Sequence, residues 1–437
     1  MSEKISAPKG MLDILPQECG KWTALEKVIR DICGRYGFSE IRTPVPEHTE
    51  VFSRGVGDTT DVVSKEMYTF EDKGGRSITL RPEGTAGVVR SFLENGLYNA
   101  PLPVKLFYLI SCYRYEKPQK GRLREFHQFG VEMFGATDPI SDATVISLPH
   151  RIFEELGVKG VSLHLNSIGC RECRAKYRET LKAYFENKKE KLCPTCLTRL
   201  EKNPMRILDC KDAGCKELSK DAPLILDHIC DDCRDHFEKV QAYLTAMNIP
   251  FEIDPRIVRG LDYYNRTVFE FVSCDLGAQS TVCGGGRYDG LVAQMGGPSV
   301  PSLGFAMGIE RLMLVLKNQG KELPSADKPD LYIAALGEKA QLKTAELCAA
   351  LRADGFKVET DICGRGLKAQ MKYANKIGAK YSLVLGDTEI GENSASLKNM
   401  ADGEAFTVKL DILSDELFKI INEQALNSLE DLISNNL

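Results

Sequence analysis

The chain has 437 residues, which is enough for about three domains of ordinary size. Its hydrophobic content of 43% and charged content of 27% are typical of globular proteins and argue against a disordered chain or a membrane protein. The net charge of -5 means that a nucleic-acid partner would have to be bound by local basic patches, which argues against a non-specific nucleic-acid binder.

The amino-terminal residues contain no apolar segment of the kind found in export signals, and no apolar run approaches the length needed to span a bilayer. We therefore expect a cytoplasmic protein with no membrane partner. In such a chain, fifteen cysteines point to free thiols or metal ligands and not to disulfides.

The first predicted element is an amphipathic helix over Gln17–Gly37, where apolar residues recur at three- and four-residue spacing. The segment Phe38–Glu47 then predicts a strand whose two prolines place it at a sheet edge or at an interface. Further strands are predicted at Ser77–Arg81, Val104–Tyr113, Phe126–Phe134, Val161–Asn166, Thr267–Val272 and Thr281–Cys283. Strands joined by hairpins and accompanied by helices favour an α+β fold built on a large antiparallel sheet.

Two changes in amino-acid composition along the chain predict domain boundaries. Short helical pieces broken by prolines and a glycine predict a helical insertion over residues 188–235, and the polar, turn-forming segment Leu323–Lys328 marks a second boundary. Beyond it, strands alternate with helices over Lys339–Ala353 and Leu367–Ile377, followed by two more strands and a closing helix. The predicted domains are residues 1–187 with 236–322, the insertion 188–235, and an α/β domain over 329–437.

Five segments of the first 330 residues are richer in polar residues and glycine than a hydrophobic core requires. They are Leu80–Thr85 (LRPEGT), Arg114–Glu132, Arg259–Arg266 (RGLDYYNR), Gly284–Asp289 (GGGRYD) and Gly304–Arg311 (GFAMGIER). The second is a hairpin with a basic loop, and a guanidinium fixed at a strand end can hold a phosphate in one orientation. Taken singly, each segment could instead be a turn or a solvated surface, and GGGR lacks the spacing of a dinucleotide fingerprint or a P-loop.

Taken together and in this order, the segments resemble the motifs of the histidyl-tRNA synthetase family, within class II of the aminoacyl-tRNA synthetases. YGFSEIRTPVPE is similar to the family's motif 1, the Arg114 hairpin to motif 2, and GFAMGIERL to motif 3. RGLDYYNRTVFE and CGGGRYDGL are similar to the two segments peculiar to the histidine enzymes. The resemblance covers essentially the full length, including the insertion and the C-terminal α/β domain.

The resemblance implies a two-step ligase reaction. Histidine and ATP, bound with Mg²⁺, would form histidyl-adenylate and pyrophosphate, and the histidyl group would then pass to the histidine tRNA. The implied catalytic residues are Arg259 and Arg114, which would hold the α-phosphate from two sides. The implied ATP-binding residues are Arg114, Glu116, Arg122 and Arg311, and the implied histidine-binding residues are Glu83, Thr85, Gln128, Glu132, Tyr263, Tyr264 and Tyr288.

The resemblance also implies where tRNA and a second subunit would bind. The motif 2 loop would meet the acceptor end of the tRNA through Gln119 and Arg124, although a solvated basic loop is the alternative. The C-terminal α/β domain would bind the anticodon. Motif 1 implies a homodimer with Phe38–Glu47 at the interface.

Two other classes of protein compete with this interpretation. A synthetase-like regulatory subunit of ATP phosphoribosyltransferase would be expected to lack the anticodon domain and the phosphate-binding arginines, and this chain has both. A nucleic-acid-binding module organised by metal-bound cysteines would leave the Arg114 and Arg259 segments unexplained.

Eight of the fifteen cysteines fall between Cys170 and Cys233, several of them in pairs separated by two residues. Such pairs can present both thiolates to one tetrahedral zinc ion. The predicted structural zinc site consists of Cys193, Cys196, Cys230 and Cys233. Free buried thiols are an equal alternative and a redox role is a third, while Cys170 and Cys173 are predicted to be packing residues.

Overall fold

The computed structural model describes residues 5–56, 60, 62–259, 261, 263–324 and 328–434. The chain divides into two units, residues 1–325 and 326–437, and this division falls within Leu323–Lys328. Gly260 and Asp262 of the RGLDYYNR segment, residues 325–327 of the predicted boundary and residues 435–437 lie outside the described residues. Among the described helices, none combines the length and the apolar character that crossing a membrane requires.

The first unit contains helices α1–α10 and strands β1–β11. In chain order they are α1 (Pro16–Arg35), β1 (Ser39–Glu40), β2 (Pro46–His48), α2 (Thr49–Val56), β3 (Tyr68–Glu71), β4 (Ser77–Leu80), α3 (Thr85–Glu94), β5 (Val104–Tyr113), β6 (Glu125–Phe134), α4 (Pro139–Glu155), β7 (Val161–Ser167), α5 (Arg171–Glu186), α6 (Pro194–Lys202), α7 (Ala213–Ser219), α8 (Asp231–Ala246), β8 (Glu252–Ile253), β9 (Asn265–Ser273), β10 (Thr281–Arg287), α9 (Leu291–Gln294), β11 (Ser302–Gly308) and α10 (Ile309–Asn318).

Eight of these strands form one sheet in the order β1-β5-β6-β11-β10-β9-β7-β8. Only the outer pairs β1–β5 and β7–β8 are parallel, and the pairs between them are antiparallel. The predicted α+β fold on a large antiparallel sheet is therefore confirmed. Because β6 and β11 are neighbours, with Gln128 opposite Gly308 and Glu132 opposite Gly304, the two segments that resemble motifs 2 and 3 lie side by side.

The sheet separates a hydrophobic core from the face that carries polar groups. Phe129, Val131 and Met133 of β6 belong to a core cluster that includes buried residues of α1, α4 and α8. Since successive side chains of a strand point to opposite faces, Gln128 and Glu132 must face the other way. Burial of each large apolar side chain contributes roughly 1.5–3 kcal/mol, so the core fixes the register of β6 and with it the direction of these polar groups.

The single strand predicted over Phe38–Glu47 is wrong, because the segment forms the two short strands β1 and β2 in different sheets. Pro44 and Pro46 have no backbone N–H to donate, so the segment cannot form one continuous ladder of strand hydrogen bonds from β1 to β2. Both short strands lie at sheet edges, β1 in the large sheet and β2 in a three-stranded antiparallel sheet ordered β2-β4-β3. The edge position is the one that the prolines predict.

The GGGR segment is neither a turn nor a loop, since β10 continues through it to Arg287. A side chain at position 285 has no space, because a Cβ there would lie 2.2 Å from the carbonyl oxygen of Gly304 on the neighbouring strand β11. Glycine is therefore needed for close approach of the two backbones.

The second unit is a small α/β domain. Its elements are β12 (Leu331–Ala335), α11 (Glu338–Ala353), β13 (Val358–Thr360), α12 (Leu367–Ile377), β14 (Tyr381–Leu385), α13 (Asp387–Glu392), β15 (Ser394–Asn399), β16 (Ala405–Lys409) and α14 (Leu413–Ser434). The strands form a sheet in the order β13-β12-β14-β15-β16, which is parallel among the first three strands and antiparallel beyond them.

A buried ion pair joins the end of β10 to α4. Arg287 and Asp142 are 1% and 2% exposed and hydrogen-bond to each other. The guanidinium also donates to the hydroxyl of Ser141 at 2.9 Å and to the carbonyl of Ala136 at 2.8 Å. Burial acts to raise the pKa of Asp142, but the charge of Arg287 and the His236 ring, whose Nε2 lies 3.4 Å from Oδ2 of Asp142, outweigh it and lower this pKa to about 2.

We predict that Asp142→Asn strongly destabilises the first unit, because it removes the fully buried carboxylate that pairs with Arg287 and leaves this buried charge only the less buried Asp289, at 3.2 Å. The expected loss is about 3–5 kcal/mol in the free energy of unfolding, measured by urea denaturation. The matched control is Asp235→Asn on α8, which removes an exposed ion pair with Lys239 and should leave the unfolding free energy nearly unchanged. Equal stability of the two variants would contradict the structural role of the buried pair.

Candidate active site

A cavity of about 280 Å³ lies over β6, β10 and β11, and all five polar or glycine-rich segments contribute to its walls. The residues singled out from the sequence that line it are Glu83, Thr85, Arg114, Glu116, Arg122, Gln128, Arg259, Tyr263, Tyr264 and Arg311. The antiparallel sheet thus brings side chains as far apart in sequence as Glu83 and Arg311 into one pocket. The volume of this pocket is near the lower end of the range for small-molecule sites, about 300 Å³.

A carboxyl group is buried beneath one end of the cavity. Glu132 is 0% exposed, and its carboxyl accepts hydrogen bonds from the hydroxyls of Thr85 (2.7 Å), Tyr108 (3.2 Å) and Tyr288. Burial raises the pKa of Glu132 to about 8, although the three hydroxyl donors act in the opposite direction. Burial thus favours the protonated form of this carboxyl.

Aromatic rings surround this carboxyl. The ring centres of Tyr263 and Tyr264 are 4.7 Å apart, and Tyr288 lies 5.4 Å from Tyr263 and 6.4 Å from Tyr264. All three side chains are buried, and burial raises the pKa of each hydroxyl, so all remain protonated hydrogen-bond donors. The result is a pocket with flat apolar walls and polar groups at its end, which suits a small planar ring with nitrogen atoms.

A second buried carboxyl, that of Glu83, lies at the start of α3. It accepts hydrogen bonds from the backbone N–H groups of Thr85 at 2.7 Å and Ala86 at 2.8 Å. Burial nevertheless raises its pKa, with these donors acting in the opposite direction. Beside it, the side-chain carbonyl of Gln128 accepts the N–H of Gly84 at 3.0 Å.

Three arginines gather at the other end of the cavity. Arg311, in the first turn of α10, donates to the carbonyls of Thr281 (2.7 Å) and Gly121 (3.1 Å). Burial lowers the pKa of Arg311, and the positive charges of Arg122 and Arg114 lower it further. Like charges held this close are unfavourable on their own, so the arrangement favours binding of a polyanion.

Each of the other two arginines is held in place by neighbouring groups. Arg114 donates to the carbonyl of Pro82 at 2.8 Å, and its guanidinium lies 5.3 Å from the centre of the Phe126 ring. Arg122 forms an ion pair with the buried Glu116. Fixed guanidinium groups lose little entropy when they bind phosphate oxygens.

Arg259 reaches the cavity from a different segment. Its guanidinium pairs with Glu270 of β9 and lies 5.7 Å from the centre of the Tyr264 ring. Burial acts to lower its pKa, but the charge of Glu270 outweighs this effect and raises it, so Arg259 stays charged. A Cβ at Gly284 would lie 2.4 Å from the guanidinium, and glycine there is what allows Arg259 to lie against the strand.

Some of the residues singled out from the sequence lie elsewhere. Glu132 and Tyr288 do not line the cavity but contact residues that do. Gln119 lines a neighbouring groove together with Lys120 and Trp22. Arg124 lies over the Tyr115 ring, 3.8 Å from its centre, and donates to the carbonyl of Glu116.

Three polar residues of the site were not among those predicted from the sequence. Glu270 holds Arg259, Tyr108 donates to Glu132, and Glu310 lines the cavity while binding the backbone N–H and ring Nδ1 of His127. A single acidic residue within the apolar strand TVFEFV was a visible signal for Glu270. Tyr108 gives no such signal, because a tyrosine is ordinary in an apolar strand.

The predicted zinc site of Cys193, Cys196, Cys230 and Cys233 is wrong, because the structure places its two halves in different clusters. Cys230 and Cys233 lie with Cys170 and Cys173, whereas Cys193 and Cys196 lie with Cys210 and Cys215. Cys170 and Cys173, predicted to be packing residues, lie within one of these clusters. Spacing in sequence identifies the pairs but not which pairs the fold brings together.

Known proteins resemble this chain over most of its length. A family model described as histidyl-tRNA synthetase matches residues 10–312, and one described as an anticodon binding domain matches residues 330–420. The histidine--tRNA ligases of Acetivibrio thermocellus and Clostridium perfringens are 57% and 55% identical to it, over 94% and 95% of this chain and 99% of each relative. The crystal structure of apo S. aureus histidyl-tRNA synthetase matches with a TM-score of 0.82 and 39% identity, covering 95% of this chain and 100% of that one.

The raised pKa of Glu132 predicts a pH dependence of stability. A carboxyl whose pKa rises on folding, here from 4.5 to about 8, contributes stability that is complete below the unfolded pKa and is lost as pH rises through the folded value. The melting temperature of the wild-type protein without ligands, measured relative to that of Glu132→Gln, should therefore fall between about pH 5 and pH 8. The exposed Glu71→Gln serves as the control and should follow the wild-type profile. Parallel profiles of wild type and Glu132→Gln would contradict the assignment.

Proposed function

The chain belongs to the histidyl-tRNA synthetase family, and we infer from this that it is a histidine--tRNA ligase, a class II aminoacyl-tRNA synthetase that charges tRNA with histidine. The family assignment decides between this function and the two competing classes. The observation that carries the proposed mechanism is the convergence of arginines from separate segments on one cavity, next to a pocket with buried carboxyls and tyrosines.

ATP is proposed to lie at the arginine end. Arg122 and Arg311 would bind its outer phosphates, and Glu116 would keep Arg122 in position. A magnesium ion fits this end, because Mg²⁺ takes oxygen ligands from phosphates, waters and one or two carboxylates, and both Glu116 and Glu310 line the cavity. When bound, the ion would supply neutralisation of phosphate charge.

The first chemical step is attack by the histidine carboxylate on the α-phosphorus. A bond forms from carboxylate oxygen to phosphorus, the bond to the bridging oxygen breaks, and pyrophosphate leaves. Both reactants are negative, so their approach is unfavourable unless cations neutralise them. Arg114 and Arg259 would do this from two sides, and because both are held by other groups beforehand, little reorganisation is needed.

Histidine is proposed to lie over the tyrosine-walled end. Glu132 and Tyr264 would bind the two imidazole nitrogens, Glu83 the α-amino group and Gln128 the carboxylate end. Support comes from the raised pKa values of Glu83 and Glu132: burial dominates at both carboxyls, although the charge of Arg114 acts in the opposite direction at Glu83. A competitor without these nitrogens would leave buried polar groups unpaired, a difference that can discriminate by about 10⁴-fold or more.

The proposed tRNA contacts involve both units. The acceptor end would meet the motif 2 loop, where Gln119 and Arg124 are suited to phosphate and base-edge contacts. The catalytic domain would comprise residues 1–187 and 236–322, interrupted by the insertion 188–235, and residues 329–437 would bind the anticodon. We place this activity in the cytoplasm, where its tRNA substrate is.

A homodimer through Phe38–Glu47 is proposed as the working assembly. The edge strands β1 and β2 support this proposal, because each has one side without a strand partner within the described part of the chain. Edge strands offer free N–H and C=O groups to a second subunit.

Charging of histidine tRNA with labelled histidine tests the function directly, and Arg259→Ala tests the mechanism. We predict that Arg259→Ala lowers the rate of histidine-dependent ATP–pyrophosphate exchange by at least about 10²-fold, because a charge on the transition state loses its partner. Histidine binding, measured by isothermal titration calorimetry, should be retained. The control is the exposed Arg178→Ala on α5, with wild-type exchange expected.

Exchange by Arg259→Ala at the wild-type rate would refute the role of Arg259. Failure of the wild-type protein to charge histidine tRNA would refute the function itself. Retained histidine binding also reports that the variant is folded, which matters because the substitution leaves Glu270 without its ion-pair partner.

A further inference from the structure

The region between β7 and β8 contains two groups of four cysteines. The first group is Cys170, Cys173, Cys230 and Cys233, and the second is Cys193, Cys196, Cys210 and Cys215. Within each group, all four sulfur atoms lie within 4.8 Å of one another. Neither group belongs to the cavity described above.

The three pairs with two intervening residues occupy the same position in local structure. Cys170, Cys193 and Cys230 are the N-cap residues of α5, α6 and α8, and none of the three makes the side-chain hydrogen bond that usually caps a helix. Serine, threonine, asparagine and aspartate are the residues that normally serve at this position. The second cysteine of each pair lies in the first turn of the same helix, so both sulfurs of a pair lie at one helix start.

The sulfur spacings fit a mononuclear site and not a disulfide. The Sγ atoms of Cys170 and Cys173 are 3.5 Å apart and those of Cys193 and Cys210 are 3.8 Å apart. A disulfide requires about 2.05 Å. Four sulfurs at about 2.3 Å from a zinc ion in tetrahedral geometry would be about 3.8 Å from each other.

Backbone N–H groups also point at the sulfurs. The N–H of Cys230 donates to Sγ of Cys173 at 3.1 Å, and the N–H of Cys193 donates to Sγ of Cys215 at 3.3 Å. Such bonds stabilise negative charge on sulfur. Each of these hydrogen bonds joins the two cysteine pairs that make up one group.

Packing of neutral thiols explains these groups less well. Cysteines retained only for packing are usually buried, as Cys196 and Cys215 are, but Cys230 is exposed and Cys170 and Cys193 are partly exposed. Their sulfurs nevertheless converge on their buried partners. Four soft thiolate ligands in a tetrahedral arrangement favour Zn²⁺.

We propose that each group binds one Zn²⁺ through four thiolates, so that the chain holds two structural zinc ions. The first ion ties the start of α5 to the start of α8. The second ties the start of α6 to Cys210 and to α7. Each ion joins segments that are separated in the sequence.

The first zinc site is also connected to the wall of the histidine pocket. Arg174, one residue after Cys173, donates to the carbonyl of Tyr264 at 2.7 Å. Gly169, the residue before Cys170, accepts the N–H of Arg266 at 2.9 Å. The ion therefore fixes the residues that hold the Tyr263–Arg266 segment from behind.

The proposal is tested on the full-length protein, purified without chelator and equilibrated with a zinc buffer. Metal content by plasma mass spectrometry should approach two zinc ions per chain. X-ray absorption at the zinc edge should show four sulfur ligands at about 2.3 Å. A zinc content clearly below two per chain, iron in its place, or nitrogen or oxygen ligands would overturn the proposal, whatever the aminoacylation activity.

Variants test whether the two sites are separate. Cys173→Ser and Cys196→Ser should each lose one zinc ion and retain the other, while Cys363→Ser, an exposed cysteine of the second unit, should retain both. Retention of both ions by either cluster variant would overturn the assignment of that site. If a variant fails to fold, the absorption measurement on the wild-type protein still decides.

Discussion

The side-chain alternation of β6 is the constraint on which the site depends. Phe129, Val131 and Met133 are buried in the core against the helices. Because side chains alternate along a strand, Gln128 and Glu132 point to the opposite face of the sheet. A slip by one residue would place two polar groups in the core and three apolar side chains on the face that carries the cavity. The neighbouring strands adapt to this register, since Gly304 leaves the space that the carboxyl of Glu132 occupies: a Cβ there would lie 2.2 Å from its Oε2 atom.

The two ends of the cavity differ in their electrostatics. At one end, Arg311 has a pKa lowered by burial and by two neighbouring arginines, and at the other, burial raises the pKa of Glu83 and Glu132. One end therefore holds positive charges that repel one another, and the other holds buried carboxyls. In the proposed function, a triphosphate would neutralise the arginines, and a ligand with an ammonium group and ring nitrogens would pair with the carboxyls.

Much of the fold could be predicted because its signals are local. The bounds of β5 and α12 coincide with those expected from alternation and from helical periodicity. The Phe38–Glu47 segment and the cysteines were predicted wrongly, because interruption by proline and convergence of distant pairs depend on the tertiary structure. The cavity residues could be predicted because they lie in recognisable sequence motifs. The residues that hold the arginines in place, such as Glu270, could not, because their contacts depend on the order of strands in the sheet. The roles of the cavity residues themselves remain predictions.

In the proposed function, arginines from separate segments bind one triphosphate beside a pocket for imidazole. A crystal structure of the protein with histidine and a non-hydrolysable ATP analogue would show this arrangement. We expect phosphate oxygens within hydrogen-bond distance of Arg114, Arg259 and Arg311, with the imidazole against the tyrosine-walled end above Glu132. A nucleotide bound away from these guanidinium groups, or a histidine with its ring outside that pocket, would contradict it.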